Sequence, residues 1–385
     1  AVVSYFMYEQ FYLILNIHTT VFKVDPVWVG VILAFPRLID GLLDPILGHW
    51  SDNLRSRWGR RKPFLLVSGL LGALLPFVGR TETDRRVAVN SIGPVWDGNE
   101  VWLITAGGVT FAAFPTAYAV MFSALYTPLM LLLLALILRG VAFEFRGKVD
   151  SPAWRKVWDL SLAVGSGLAA LLLGVAFANL FAGIPVDAEG TFQGDLFTFL
   201  GPYGLLGGVF FVAAFLHHGA LWLAVKSGGD LRARALSLAS KLWITALVTA
   251  VAFLAMTWTS TRLWQNLFDR PVFLVFPVLA VAGLVASTIF ARQKKPWTAW
   301  GASCVFILGA VGFGVSGMFP NIVGSSLDPA FSVTAFNSAS SPLTLKIMLG
   351  VALSVLPLVI AYQTWVYVRF GHVVDEKVLA EEPNY

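Results

Sequence analysis

Cysteine is almost absent from the sequence. The one thiol, Cys304, lies inside an apolar run, so this chain alone cannot assemble a disulfide framework, a zinc site or an iron–sulfur site. Charge is scarce as well: 13% of residues are charged against 57% hydrophobic, and the mean hydropathy of +0.75 excludes a soluble globular chain. No phosphate loop, zinc-protease helix or nucleophile elbow occurs, so soluble catalysis has no support. The one glycine fingerprint, "GFGVSG" at 312–317, sits within an apolar run with no strand before it, which reads as close helix packing rather than a dinucleotide site. No cleavable signal precedes the first apolar run, and because the chain starts at Ala1 the expectation is that its natural start lies upstream.

What is present is apolar and aromatic. The 14 Trp and 30 Phe accompany long continuous apolar runs that do not alternate every second residue, which points to helices with aromatic belts rather than to a barrel. The expected fold class is all-α, a polytopic transmembrane helical bundle of about 10–11 spans. Residues 101–138 contain no charge and would make a helix of roughly 57 Å, against a hydrocarbon core of roughly 30 Å. Two helices are therefore expected there, with the reversal at 115–123. Further spans are expected at 158–180, 203–225, 236–258, 271–291, 297–318 and 345–368.

The net charge of +5 resembles a nucleic-acid signal only until its residues are placed. Lys and Arg cluster in short loops at 139–156, 226–241 and 292–295, as the positive-inside rule requires of cytoplasmic loops, so the expected partner is the lipid bilayer and not nucleic acid. The intervening loops at 182–202 and 319–342 carry acids and no Lys or Arg, and the mixed loop at 260–270 is placed on the same side by counting. Counting back from Arg139 makes Arg80, Arg85 and Arg86 cytoplasmic. Counting forward makes "SDNLRSRWGRRKP" at 51–63 cytoplasmic too. Both flanks of 63–79 demand the same side, and one short segment cannot cross while satisfying both.

Two sets of motifs account for the conflict. "RLIDGLLDPILGHWSDNLRSRWGRRKPF" at 37–64 resembles the glycoside–pentoside–hexuronide branch of the major facilitator transporters. From Gly79 onward, "GRTETDRRVAVNSIGPVWDGNEVWLITAGG" at 79–108, "RGVAFEFRGKVDSPAWRKVWD" at 139–159, "GVAFANLFAGIPV" at 174–186, "MFPNIVGSS" and "SPLTLKIML" are similar to subunit II of cytochrome bd ubiquinol oxidase. The expected organisation is a mosaic. Residues 1–78 form a transporter-like fragment, and 79–385 form an oxidase-like bundle lacking that family's first helix. The missing complementary parts of both families favour a join made in assembling the sequence.

The resemblance implies a multi-pass protein of the bacterial cytoplasmic membrane that supports a haem-bearing subunit I in oxidising ubiquinol and reducing dioxygen to water. It implies haem b and haem d on subunit I, no cofactor or metal bound by this chain alone, and a small single-helix subunit as a further partner. The alternative is a sugar:cation symporter. Asp97 opens a span, and on its residues alone reads as an N-cap and interfacial anchor. The resemblance instead places it on a proton route from the cytoplasm, with Glu144 of "FEFR" as a second carrier and Trp96, Asn99, Glu100, Trp102, Arg139 and Arg146 as polar and aromatic support. For Glu144 the competing reading is a loop charge paired with Arg139 or Arg146. Asp40 and Asp44, four apart on one helix face, resemble the transporters' coupling-cation site and are read as vestigial on a fragment. His217 and His218 suggest haem ligation, but adjacent residues point about 100° apart, so polar packing is preferred.

Overall fold

The computed structural model describes residues 71–93, 96–369 and 373–374. Asp40, Asp44 and the segment 63–70 lie outside the described residues. The chain divides into units Ala1–Arg61 and Lys62–Tyr385, and everything below concerns the second.

That unit is helical. Helix α1 (Leu71–Val78) and the polar α2 (Glu82–Ile92) lead into α3 (Trp96–Ala113), α4 (Pro115–Ala124), α5 (Tyr126–Phe145) and α6 (Pro152–Ala182). They are followed by α7 (Pro202–Lys226), α8 (Gly229–Ser260), the short α9 (Leu263–Phe268), α10 (Val275–Arg292), α11 (Pro296–Met318) and α12 (Pro342–Arg369). Seven of the described helices are long and apolar enough to cross a membrane, counting Pro271–Arg292 as one, and Glu100–Ala113 is a shorter apolar helix. An all-α membrane bundle is what the sequence periodicity predicts, and each expected span from residue 158 onward coincides with a helix. The expected turn at 115–123 is instead a helix. Pro115 starts α4 after a break at Phe114, and Tyr118 and Phe122 lie back against Phe111 and Gly107 of α3. The chain therefore reverses at Phe114, ahead of the expected stretch, and α4 runs on into α5 through Leu125.

Local chemistry sets the boundaries. Thr81 caps α2 in a reciprocal box with Asp84, each side chain bonding the other's backbone N–H at 3.0 Å. Ser151 caps α6, Pro152 follows at its first turn, and Gly183 ends the helix with φ +87°. Helices approach through small residues, because lipid supplies no hydrophobic drive to hold them together. A Cβ on Gly174 of α6 would stand 2.5 Å from the Gly207 carbonyl of α7. Gly283 and Gly309 allow the same intimacy between α10 and α11, and the glycines of "GFGVSG" meet Phe276, Phe181 and Leu263. Helix α1 belongs to this packing, with Leu74, Leu75 and Val78 buried and Gly72 set against Leu162 and Ser166 of α6.

The two ends of the bundle differ. At the basic-loop end, the core gathers Leu74, Ile92, Phe143, Leu162 and Trp222. At the acidic-loop end, the two long loops are stitched by main chain: Ile184 N–H donates to Gly324 O at 2.9 Å and Ser326 N–H to Ile184 O at 3.0 Å. A short antiparallel pair, β1 (Asn321–Val323) and β2 (Val333–Thr334), completes this cap.

Gly174→Leu should lower stability by about 1–3 kcal/mol or more, since backbone rather than a flexible side chain occupies the space. Gly167→Leu should be near neutral, because nothing lies within 4 Å of its Cβ position. Thermal unfolding of both variants in detergent checks the difference.

Candidate functional site

Helices α3 and α5 run antiparallel, and their pairing at the basic-loop end organises the candidate residues. Trp96 stacks on Phe143 with centroids 5.2 Å apart, over the flat surface that Gly140 leaves. One turn further in, Arg139 Nη2 donates to Glu100 Oε1 at 2.6 Å, with the arginine side chain 5% exposed. These two rungs share one register, Trp96 opposite Phe143 and Glu100 opposite Arg139. Asp97 follows Trp96 and Glu144 follows Phe143, so the Trp96–Phe143 rung puts both acids at the same end of the α3–α5 pair. The side chains of Asp97 and Asn99 lie outside the described residues.

A second set of charges ties α2, α5 and α6 together. Arg146, whose side chain is 3% exposed, donates Nε to Asp159 Oδ1 at 2.6 Å and Nη1 to Glu82 Oε1 at 2.9 Å. Asp159 Oδ2 also accepts from Arg85 Nη1 at 3.1 Å. Burial alone would pull the Arg146 guanidinium down, but the bonds to Asp159 and Glu82 outweigh it and hold its pKa above the usual arginine value. Beside this set, Arg234 bonds both Asp84 and Asp230 at 2.7 Å. Partial burial works to raise Asp84, yet the Thr81 N–H and Arg234 together hold its carboxyl below the ordinary value.

The pairing of Glu144 with Arg139 or Arg146 is not formed: Arg139 is taken by Glu100, and Arg146 by Asp159 and Glu82. At this end Glu82, Asp84, Glu100, Asp150, Asp159 and Asp230 each have a cationic partner. Glu144 is exposed, and among the described residues it has no ion pair. Sequence reasoning missed Asp159 and Glu82. The signal for Asp159 was an acid at the second position of the expected span 158–180, which is costly without a partner.

His217 and His218 are fully buried in α7. His217 bonds the Ala239 carbonyl at 3.0 Å and Ser287 Oγ at 2.9 Å, and His218 Nδ1 lies 2.6 Å from Ser303 Oγ. Both nitrogens of His217 are occupied, which does not fit an axial haem ligand. His218 Nε2 has no hydrogen-bond partner among the described residues, and its ring is enclosed by α7 and α11 side chains, with the Trp300 ring centroid 5.9 Å away.

A multi-pass helical membrane protein, with its buried ion pairs collected at one end of the bundle, is the class these features define. Comparison with known proteins narrows it. Residues 69–370 match the family described as cytochrome bd terminal oxidase subunit II. The chain is 39% identical to cytochrome bd ubiquinol oxidase subunit 2 of Bacillus subtilis over 80% of its length and 90% of the relative's. It is 34% identical to cytochrome bd-I ubiquinol oxidase subunit 2 of Escherichia coli over 80% of its length and 90% of that relative's. The fold matches the structure of bd oxidase from Geobacillus thermodenitrificans with a TM-score of 0.61 at 16% identity, covering 78% of this chain and 90% of that one. The chain belongs to the cytochrome bd oxidase subunit II family. Residues 2–78 match a second family, described as MFS/sugar transport protein, and the two matches overlap over 69–78.

Arg146→Ala should destabilise by about 1–3 kcal/mol, chiefly by leaving the buried Asp159 with the part-exposed Arg85 as its one remaining cation, because Glu82 is 41% exposed and water screens it. The exposed Lys148→Ala should stay near neutral. Asp84 has a depressed pKa, so its stabilising contribution is complete above the unfolded value of about 3.9 and fades as pH falls through the lower folded value. Acid unfolding of Asp84→Asn should accordingly show a shallower loss of stability below about pH 4 than the parent chain.

Proposed function

We propose that this chain acts as the non-haem subunit of a quinol:oxygen oxidoreductase. Two ubiquinol molecules give up four electrons and four protons, and dioxygen takes four electrons and four protons to become two waters. Haem b and haem d, on the partner subunit I, supply the redox chemistry when bound. This chain supplies scaffold, subunit interface and part of the route by which cytoplasmic protons reach that chemistry, in a bacterial cytoplasmic membrane, with a small single-helix subunit as a further partner.

Asp97 and Glu144 are the proposed carriers. The observation that supports the reading is the contrast at the basic-loop end, where six acids are neutralised by arginines and Glu144 is not. A proton carrier must take up and release a proton, which a carboxylate locked to a guanidinium does poorly. Arg139, Glu100, Arg146 and the Trp96–Phe143 stack then act as positioning groups, holding the ends of α3 and α5 in register while contributing fixed charge. Trp102 and Asn99 complete the polar and aromatic support.

The second reading, a sugar:cation symporter coupling through Asp40 and Asp44, draws on the match of residues 2–78 alone. We propose that this part, ending near Gly79, is a transporter-like fragment whose acids are vestigial. It spans too few helices to enclose a substrate site at a repeat interface.

In an intact oxidase containing this subunit, Asp97→Asn should slow oxygen reduction about tenfold, the effect of about 1.4 kcal/mol on the barrier, with haem content unchanged. Glu144→Gln should slow it less, since Glu144 faces outward. Oxygen-electrode turnover with haem spectra on the same samples checks both. Unchanged turnover in the two variants would return Asp97 to helix capping and Glu144 to a surface charge.

A further inference from the structure

At the acidic-loop end, away from the proposed proton carriers, lies a cavity of about 380 Å³. It opens where α6, α8 and α11 finish at Ala182, Ser260 and Met318, and the loop residues Gly324–Ser326 close one side. Its volume falls within the range of small-ligand sites, and its walls carry hydroxyls and amides but no carboxylate.

One cation faces it. Arg262 is exposed at the cavity, and among the described residues no carboxylate or carbonyl is bonded to its guanidinium. The other arginine of this loop, Arg270, is covered differently, lying 4.6 Å over the Phe319 ring. Arginine is depleted on the side opposite the basic loops, so one retained there without an acid partner calls for a counter-charge.

A plain anion is a poor complement. Three helix C-termini converge on the same space, and the last carbonyls of each helix have no intrahelical partner. Two are used internally, Gly317 O by Asn266 Nδ2 at 2.7 Å and Thr257 O by the Thr261 N–H at 3.1 Å and Oγ1 at 2.8 Å. The others leave a partial negative charge of about 0.5 per helix end, so the ends together offset the single guanidinium. The complementary ligand carries both signs a few ångströms apart and offers N–H donors at its positive end. A phosphate fits the planar fork of Arg262, and a primary ammonium fits the carbonyl rim.

Position selects among such ligands. The cavity sits at the ends of spanning helices, and Trp258 is 60% exposed at the last turn of α8, one residue before the lining residue Thr259, as interfacial tryptophans are. We infer that this cavity binds the phosphoethanolamine headgroup of an aminophospholipid, with the phosphate on Arg262 and the ammonium on the carbonyls that end α6, α8 and α11. The assignment is independent of the proton-route reading.

The test uses the full chain in detergent, stripped of lipid and titrated with dioleoyl phosphatidylethanolamine, phosphatidylcholine or phosphatidylglycerol, with bound lipid counted by native mass spectrometry. Phosphatidylethanolamine should bind about tenfold more tightly than either of the others, because choline lacks N–H donors and glycerol lacks the positive charge. Arg262→Gln should lose about tenfold and Arg262→Lys less, with circular dichroism and size-exclusion profiles of both variants matching the parent. Glycerophosphoethanolamine without acyl chains should displace the lipid at millimolar concentration. Equal binding of the three lipids, undiminished binding by Arg262→Gln, or failure of the free headgroup to compete would each overturn the assignment. The last result would mean that acyl-chain contact, not headgroup recognition, carries the affinity.

Discussion

Arg146 is the charge on which the basic end of the bundle depends. Its guanidinium is almost wholly out of water, and it is tolerable there only because Asp159 and Glu82 meet it with good geometry. Those two partners come from α6 and α2, so a single side chain at the C-cap of α5 ties three elements that are distant in sequence. Asp159 then reaches Arg85, and Arg85 Nε returns to the Gly79 carbonyl at 3.2 Å, which draws the turn between α1 and α2 into the same network. Remove the arginine and Asp159 keeps only the part-exposed Arg85, while Glu82 is left to water and Arg155.

The opposite end is held by a different bond type for a related reason. Carbonyls and N–H groups that leave a helix at membrane depth need partners from protein, since hydrocarbon offers none. There the loops pair with each other through backbone bridges between Ile184 and the segment around Ser325, and Ser325 Oγ donates to Val186 O at 2.6 Å. Ser340 N–H donates to Ala113 O at 2.8 Å, which closes the end of α3. Charge does little of this work, and that leaves Arg262 available at the cavity. The asymmetry between an ion-paired end and a main-chain-stitched end thus follows from where the positive-inside rule concentrates arginine.

The junction between the two families looks different from the two levels of description. As sequence, 63–79 is a conflict between basic flanks. As structure, the last eight residues before Gly79 form a helix packed on α6 with three buried apolar side chains. An apolar segment with glycines at contact positions can satisfy a membrane interface whatever its ancestry, because such interfaces select for small size and apolarity. The overlap of the two family matches at 69–78 falls on this helix.

What the sequence determined by itself is the set of spans and their alternation. Apolar runs of bilayer length with Lys and Arg concentrated in alternate loops leave few other arrangements, and the spanning helices α6, α7, α8, α10, α11 and α12 follow them closely. It also singled out the mouth of α3 and the "FEFR" stretch, since acids beside long apolar runs are costly. It did not reveal α4, where the apolar content is the same in a turn and in a helix. Nor did it reveal that Arg139 takes Glu100 and Arg146 takes Asp159 and Glu82. Those pairings depend on which helix faces register across the bundle, and register is decided by the close approaches at Gly140, Gly165 and Gly174. Only the tertiary structure therefore distinguishes Glu144, left without a cation, from the acids around it, because ion pairing is a property of neighbours in space and not of neighbours in the chain.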